Sequence, residues 1–414
     1  MTRSEVDTLS FIRDQFREYY RKESATIDSP RGFTDREFAF LLFDEKAMFR
    51  HIGFDNESVF KDYLKDLAPA HVYYSSAYYS VPEADMDKKG WKCADLVFDI
   101  DADHIQTNCK AAHDRWACRG CGKEGYGSSP SSCPKCGSAS LEVETWMCEN
   151  CLESAKDETL KLLEILEQDF GFALEKESTI NFSGNRGYHV HVYQDDAKHL
   201  TQFARRELID YIRGVGLEAV YHGFSGRTTS TANPRRSGWS GRLGKSLYRL
   251  FLKADADTFA RFGISTEIAD MLVQSKEDIM KEIMQGQVSQ LLRLLTSRNA
   301  AFFDRLIQEA ATLEGSAIDT VVTADIHRLI RLPMTLHGKT GFKASNVPIK
   351  DLEGFQPLKK AVAFSQGSVK IHVSRAPEFR IGDEVYGPYR NQDVEIPLAP
   401  GMLLLCKGLA GVIG

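Results

Sequence analysis

The order of elements along this chain predicts an α/β (α+β) catalytic core interrupted by a zinc-binding module and by a mainly helical subdomain. Strand-like apolar runs at 95–101, 178–184 and 187–193 supply the sheet of the core. Residues 104–151 are rich in Cys, Gly and Ser and show little hydrophobic periodicity, as expected of a small module held by metal. From about 246 to 312 the chain has few Pro or Gly and many Leu, Ile, Met, Glu and Arg, the composition of packed helices. The predicted organisation is a first part of the core over 1–103, the zinc-binding module over 104–152, a second part of the core over 153–245, a helical insertion over 246–314, and the last part of the core over 315–414. A chain of 414 residues has room for two or three domains. With 43% hydrophobic and 27% charged residues it lies near the average for folded proteins, which argues against disorder as the main state.

Taken in order, apolar residues recur at helical spacing from Val6 to Tyr20 and again from Thr34 to Phe43. AHVYYSSAYYS and CADLVFDID read as strands. Ser154 with Asp157 predicts a helix start, followed by the stripe Leu160, Leu163, Leu166 and Phe170. STINFSG and GYHVHVY read as two strands around a tight SGNRG turn. VKIHVS and FRIGDEVY are strand-like, and GPYRNQDVEIPLAPG reads as loop and strand. There is no internal repeat. No segment approaches the ~20 apolar residues of a membrane helix, so no membrane partner is expected. The start, MTRSEVDTLSFIRDQFREYY, is charged and helical in period rather than signal-like, which predicts a cytoplasmic protein. Its nine cysteines then read as metal ligands before disulfides. A net charge of −6 gives no global attraction to nucleic acid, although a local basic surface can suffice.

DLVFDID places Asp99 and Asp101 on one strand face, shared with Val97, while Phe98 and Ile100 face the opposite layer. Two carboxylates so placed repel, and partial burial raises at least one pKa. Divalent cations remove the conflict: two ions about 3.5–4 Å apart, bridged by such acids, are a standard device for in-line phosphoryl or nucleotidyl transfer. Magnesium suits these oxygens and keeps water that substrate phosphates can replace. A lone DxD is more often a solvated strand end. A paired-acid glycosidase is a further reading, but acids on one strand lie only about 6–7 Å apart and no sugar cleft is evident around them.

Cys118, Cys121, Cys133 and Cys136 form CxxC, an eleven-residue spacer and CxxC, with a glycine after each pair. That is a zinc-ribbon pattern, in which each pair converges on one tetrahedral ion and the glycines permit tight turns. Cys109 and His113 in CKAAH, with Cys148 and Cys151 in CENC, suit a second tetrahedral zinc. Closed sites of this kind supply folding energy and leave no open coordination position. In the SGNRG turn, Ser183, Asn185, Arg186 and the backbone of Gly184 and Gly187 can surround an anion, and His189 and His191 share a strand face beyond it. A simple hairpin turn explains the same residues. Between Glu218 and Asp255 there is no acidic residue, yet Arg227, Arg235, Arg236, Arg242, Lys245, Arg249 and Lys253 occur there with His222 and Trp239. This stretch, including the flexible-looking SGWSGRLGK, can touch a nucleic-acid backbone; a solvated basic loop fits it equally well.

REFAF at 36–40, DLVFDID at 95–101, SGNRGYH at 183–189 and IDTVVTADIHRLIRLPMTLHGKTG at 318–341 together resemble, in kind, order and spacing, the catalytic small subunit of archaeal and eukaryotic DNA primases, most closely the archaeal members. The likeness covers most of the chain. It implies a primase-type α/β core with a zinc motif and a helical subdomain. It also implies that the catalytic aspartates are Asp99, Asp101 and Asp319, the last preferred to its neighbour Asp325 for its spacing to His337. Ser183, Arg186 and His189 match the family's triphosphate-contacting SGxRGxH motif, and Arg331 and His337 match basic positions facing the same phosphates, with Lys339 a further candidate. Arg50 and Glu37 match residues near the active site. The family's usual knuckle takes one zinc, matched here by Cys109, His113, Cys148 and Cys151, and the Cys118–Cys136 ribbon is inserted into it.

The resemblance implies two catalytic Mg²⁺ or Mn²⁺ ions, structural Zn²⁺, nucleoside triphosphates, a single-stranded DNA template, and a heterodimer with a large primase subunit. The expected activity is template-directed synthesis of short RNA primers de novo, a nucleotidyltransferase activity of DNA replication. Two alternatives stand beside it: a primase-polymerase or repair polymerase on the same core that extends DNA primers, and a non-catalytic zinc-ribbon nucleic-acid-binding protein.

Overall fold

The computed structural model describes residues 3–45, 47–222, 234, 236–261, 263–287, 291 and 300–413. The chain is a mixed α/β protein that divides into two compact units, one made of Met1–Asp157, Glu175–Gln202 and Asp319–Gly414, the other of Glu158–Leu174 and Phe203–Ile318. No helix among the described residues is long and apolar enough to cross a membrane.

Two four-stranded antiparallel sheets carry the first unit. One has the order Leu329–Arg331, His71–Ser75, Phe38–Leu41, Phe49–Ile52. The helix expected over Thr34–Phe43 is replaced by the strand Phe38–Leu41. The reason is two-sided burial: Phe38, Ala39 and Phe40 are all inaccessible to solvent, which a helix with one apolar face does not give. Phe38 packs against Phe54 and Phe60 at ring separations of 5.3 and 4.9 Å, each buried ring stabilising the fold by about 1.5–3 kcal/mol. Phe60 comes from the helix Glu57–Leu67, whose N-cap Asn56 accepts a hydrogen bond from the Ser58 amide. Arg36 is wholly buried and wholly satisfied: its Nη2 pairs with Asp95 at 2.5 Å, and its other nitrogens donate to the carbonyls of Arg31, Ser75 and Ser76.

The second sheet has the order Ser345–Val347, Ser178–Phe182, Gly187–Val192, Leu96–Asp101. The two strands expected around SGNRG form as an antiparallel hairpin. Its Gly187–Val192 arm sits beside the acid-bearing strand, with His189 opposite Asp99 and Gly187 opposite Asp101. Only glycine fits at position 187, because a Cβ there would lie 2.0 Å from the Ile100 carbonyl oxygen. A third sheet joins Tyr389–Pro397, Ser368–Ala376 and Ala410–Val412. The intervening helix Leu398–Cys406 is buried along Met402–Leu405.

The cysteine-rich segment folds as a small antiparallel sheet of Glu124–Tyr126, Arg115–Cys118 and Leu141–Glu144. The helix that follows begins at Glu149, before the expected Ser154 start. The Cys148 carbonyl already accepts the Leu152 amide, so CENC itself opens the helix. Ser154 lies within it and donates its hydroxyl back to the Asn150 carbonyl.

The second unit is helical, with Gly238–Lys253, Ala256–Arg261, Thr266–Gln274, Lys276–Met284 and Ala300–Glu314. They share a core that includes Leu243, Leu247, Phe251, Phe259, Ile279 and Leu306. SGWSGRLGK is not a flexible loop but the start of the first of these helices. Three cations of the basic stretch are paired within the unit: Arg242 is buried against Asp169 at 2.9 Å, Lys245 pairs with Glu164 at 3.1 Å, and Arg249 pairs with Glu314 at 2.9 Å, while Arg236 and Lys253 are exposed. Arg227 and Arg235 lie outside the described residues.

Candidate functional site

Asp99 and Asp101 end the strand Leu96–Asp101, with Val97, Phe98 and Ile100 buried around them. Asp319 reaches this strand from a distant part of the chain: its amide donates to the Asp99 carbonyl at 2.8 Å. Two of the three carboxylates are oriented by amide donors. Asp101 Oδ1 accepts from the Asp103 amide at 2.9 Å, and Asp319 Oδ1 accepts from the amides of Val321 and Val322 at the start of a short helix. Asp99 has His189 Nε2 beside it at 3.5 Å. Burial, then the charge of Asp319, pushes Asp99 up to about 6. Burial, then the charges of Asp103 and Asp99, pushes Asp101 up to about 6 as well. Asp325 instead accepts from the His327 amide at 2.9 Å.

Asp99 thus faces the charge of Asp319, and Asp101 those of Asp103 and Asp99, and the protein does not fully offset them. An oxygen-rich set of this kind fits hard divalent cations such as Mg²⁺ or Mn²⁺.

The SGNRG turn and the LHGKTG loop meet beside the acids. Thr340 donates its hydroxyl to the Gly184 carbonyl at 2.6 Å. Ser183 is buried, and its Oγ accepts from the amides of Asn185 and Gly187, so it shapes the turn. Arg186 is fully buried: its Nη1 pairs with Asp103 at 2.9 Å and with Asp114 at 3.3 Å, and its Nη2 donates to Cys151 Sγ at 3.7 Å. His189 and His337 are buried and neutral at pH 7. Burial, then Arg331, holds His189 down at about 3 and His337 well below its ordinary value. His189 Nδ1 is buried with no hydrogen-bond partner among the described residues. Arg331 is held by His71 and Tyr73, donating from Nη1 to His71 Nδ1 at 2.7 Å and from Nη2 to the Tyr73 hydroxyl at 3.2 Å.

Cys109, His113, Cys148 and Cys151 converge as one group of four, and Cys118, Cys121, Cys133 and Cys136 as another, with the ligand atoms of each within 4.8 Å of one another. Sulfur separations of 3.4 Å (Cys109 to Cys151), 3.6 Å (Cys118 to Cys136) and 3.7 Å (Cys121 to Cys133) are far too long for disulfides. They approach the ~3.8 Å edge of a tetrahedron with Zn–S bonds of about 2.3 Å. Both groups can hold a zinc ion, in the division into fours expected from the spacing.

A family model described as DNA primase small subunit matches residues 139–349. The DNA primase small subunit PriS of Methanothrix thermoacetophila is 33% identical, over 99% of this chain and 100% of its own. That of Archaeoglobus fulgidus is 33% identical over 97% and 98%, and that of Nitrosopumilus maritimus 29% identical over 98% of each chain. The chain belongs to the DNA primase small subunit family. Membership supports a primase catalytic subunit, an enzyme of the nucleotidyltransferase type acting in DNA replication.

In this primase subunit the residues matched to the family motifs divide by their contacts. Asp99, Asp101, Asp319 and His189 form one group, and Arg331 and His337 are joined through His71, whose ring lies 4.8 Å from that of His337. Arg50 is separate from both: its Nε donates to the wholly buried Glu37 at 3.2 Å, and Lys89 lies 3.4 Å from the other Glu37 oxygen. Reasoning from the sequence missed His71 and Tyr73. The available signal was their alternation on one face of the strand His71–Ser75, where polar side chains in a buried strand need partners.

Proposed function

We propose that this chain is the catalytic subunit of a primase that starts short RNA chains de novo on single-stranded DNA, by template-directed nucleotidyl transfer. The observation that carries the reading is the approach of Asp319 to Asp99 on the strand that also bears Asp101, where burial first and neighbouring carboxylates second push Asp99 and Asp101 up. Asp99, Asp101 and Asp319 would hold two Mg²⁺ or Mn²⁺ ions. Such ions, when bound, lower the pKa of an attacking 3′-hydroxyl and neutralise the leaving pyrophosphate. The amide bonds to Asp101 and Asp319 keep those carboxylates oriented before substrate arrives, so little reorganisation is needed. Arg331, fixed by His71 and Tyr73, presents a preset positive charge to the triphosphate, and Lys339 adds a flexible one. Neutral His189 and His337 contribute hydrogen bonds rather than charge. Ser183 and Arg186 serve by holding the turn and the Asp101–Asp103 segment. Zinc in the two clusters would be structural. The relatives are named as small subunits, which supports a heterodimer with a large primase subunit that shares the grip on template.

The test is unprimed synthesis on a single-stranded template with labelled nucleotides and magnesium or manganese. Asp101→Ala, and the double variant with Asp99→Ala, should make no product while keeping zinc content and circular dichroism unchanged. Normal products from these variants would sink the assignment. If the unaltered chain is silent, a pre-annealed primer separates a missing partner, which leaves extension intact, from a wrong function, which does not.

A further inference from the structure

One row of side chains across the second sheet is polar from edge to edge. Asn346, Asn181, His189 and Asp99 stand opposite one another on its four strands, and residues in register share a face. The neighbouring row, which faces the other way, is the apolar and buried Ile180, Val190 and Phe98. Asn181 is 1% exposed, yet neither its Oδ1 nor its Nδ2 has a hydrogen-bond partner among the described residues. A buried amide without partners destabilises a fold, whereas a valine here would suit both strand and core. The asparagine therefore needs another reason.

Most polar neighbours on this face are already engaged. Thr179 Oγ1 meets the Tyr193 hydroxyl at 2.9 Å, Ser183 Oγ accepts two amides of its own turn, and Asn346 is exposed at the sheet edge. The group that matches is His189 Nδ1, directly across the strand pair, equally buried and equally without a partner. Cross-strand side chains start from Cβ atoms about 4.5–5.5 Å apart, so one buried water or a small turn of the amide joins the two. His191 Nε2 is also unpartnered, but His191 stands one pair further along, opposite Thr179, with its Nδ1 3.2 Å from the Tyr74 hydroxyl and its ring stacked on Tyr74. The other nitrogen of His189 decides what a bond at Nδ1 does. Nε2 lies 3.5 Å from Asp99 Oδ1, and a neutral imidazole has one proton. A donor at Nδ1 sends that proton to Nε2, whereas an unpaired Nδ1 lets the ring turn a lone pair on the carboxylate.

We propose that Asn181 is a positioning residue for His189: its amide, meeting Nδ1 directly or through one buried water, fixes the tautomer and the ring orientation that present an Nε2–H to the carboxylate site. The inference rests on the nucleotidyl-transfer reading above, in which His189 contributes a hydrogen bond and no charge. Asn181 touches neither substrate nor ion; it acts through the histidine alone. Its cost in buried polarity is offset by a ring that does not have to reorganise when substrate arrives.

The test compares the full chain with Asn181→Val and Asn181→Thr, two strand-favouring side chains of one shape that differ by a hydroxyl donor. Long-range ¹⁵N–¹H spectra of the histidine-labelled protein, with the His189 signal assigned by its loss in His189→Gln, report the tautomer; primed extension gives kcat and KM. The wild type should show His189 protonated on Nε2. Asn181→Val should shift it to a mixture of tautomers and raise the nucleotide KM by about three- to tenfold, the scale of one neutral hydrogen bond. Asn181→Thr should restore the tautomer and most of the KM, which a purely structural role would not do, and His191 should be unmoved in both. An unchanged tautomer in Asn181→Val, equal behaviour of the two variants, or a changed tautomer with an unchanged KM would overturn the proposal. A shift of His191 in place of His189 would overturn it too, by assigning the amide to the other ring. Should Asn181→Val fail to fold, Asn181→Ala against Asn181→Ser makes the same comparison. If the tautomer moves as expected in a chain whose wild type extends no primer, the nucleotidyl-transfer reading fails and the pairing of Asn181 with His189 stands.

Discussion

Cys109, His113, Cys148 and Cys151 are tied by side-chain contacts toward the acid-bearing strand, whereas Cys118, Cys121, Cys133 and Cys136 are held by their own turns, with Cys118 and Cys133 buried. In the inner group, Cys151 is buried and accepts from Arg186, and His113 Nδ1 lies 2.7 Å from Asp114 Oδ1. Asp114 also accepts from the Trp146 amide and pairs with Arg186, which continues to Asp103. The Arg186 carbonyl takes the Ala102 amide at 3.1 Å, so the chain of contacts ends beside Asp101. The outer group has a different kind of support. The Cys118 carbonyl accepts the Gly122 amide and the Cys133 carbonyl accepts the Gly137 amide, with both glycines at positive φ, and Cys136 is exposed. Among the described residues no hydrogen bond or ion pair links these four ligands to the carboxylate site. An ion in the inner group would share its supporting contacts with the acid-bearing strand, while one in the outer group would hold only the ribbon.

Asp114→Ala is the strongest way to break this contrast. It removes the carboxylate that orients His113, a loss that typically costs about 10–100-fold in metal affinity. It also leaves the buried Arg186 guanidinium with Asp103 as its remaining ion-pair partner, a further loss of about 1.5–3 kcal/mol, the scale of a hydrogen bond to a charged group. Under chelator challenge one zinc equivalent should leave early and the other should stay, with a large fall in melting temperature. Retention of both equivalents with wild-type melting would show that the inner ligands stand alone.

A smaller effect, about tenfold for each acid, comes from pH. Asp99 and Asp101 have pKa values raised from 3.8 to about 6. At pH 5 each is about 90% protonated, so Mn²⁺ affinity at the acids should fall by roughly tenfold per acid relative to pH 7.5. The linkage has a definite sign. A folded-state pKa above the unfolded value means stability that is fully present below about pH 4 and is lost as pH rises through 6. Without divalent ions, the melting temperature of the wild type should therefore decline over that window relative to Asp101→Asn, and saturating Mg²⁺ should remove the difference. Parallel melting curves for the two proteins from pH 4 to 8 would contradict the burial and mutual repulsion of these acids.

The inner and outer groups also differ from the rest of the site in how far they can be read from sequence. CxxC pairs, CKAAH and the DxD strand were legible because one ion or one strand face imposes its spacing over a few residues. The helix expected at Thr34–Phe43 was not, because apolar spacing cannot separate a doubly buried strand from a helix when the partner strands come from Phe49–Ile52 and His71–Ser75. Asp114, His71 and Lys407 left no local signal of their partners. They meet Arg186, Arg331 and the Thr145 carbonyl across 72, 260 and 262 positions of chain, and such pairings are set by tertiary register. In the basic stretch, too, partners lie far along the chain: Arg242, Lys245 and Arg249 meet Asp169, Glu164 and Glu314 from outside it, while Arg236 and Lys253 are exposed.

The smallest effect is expected at the outer group, and it sharpens the contrast most. Replacing Cys133 and Cys136 together by serine removes two of four ligands, so the ribbon should lose its zinc and its protection against amide exchange. The inner zinc should stay, because its support runs through Asp114 and Arg186 rather than through the ribbon turns. Mn²⁺ affinity at Asp99, Asp101 and Asp319, followed by electron paramagnetic resonance, should then remain within about twofold, the range of a surface change of ~0.5 kcal/mol. A tenfold loss of Mn²⁺ affinity would mean that order in the ribbon reaches the acids. The route would then have to run through the base of the ribbon sheet, where Arg115 and Glu144 stand opposite each other in the strand register, and not through the inner ligands.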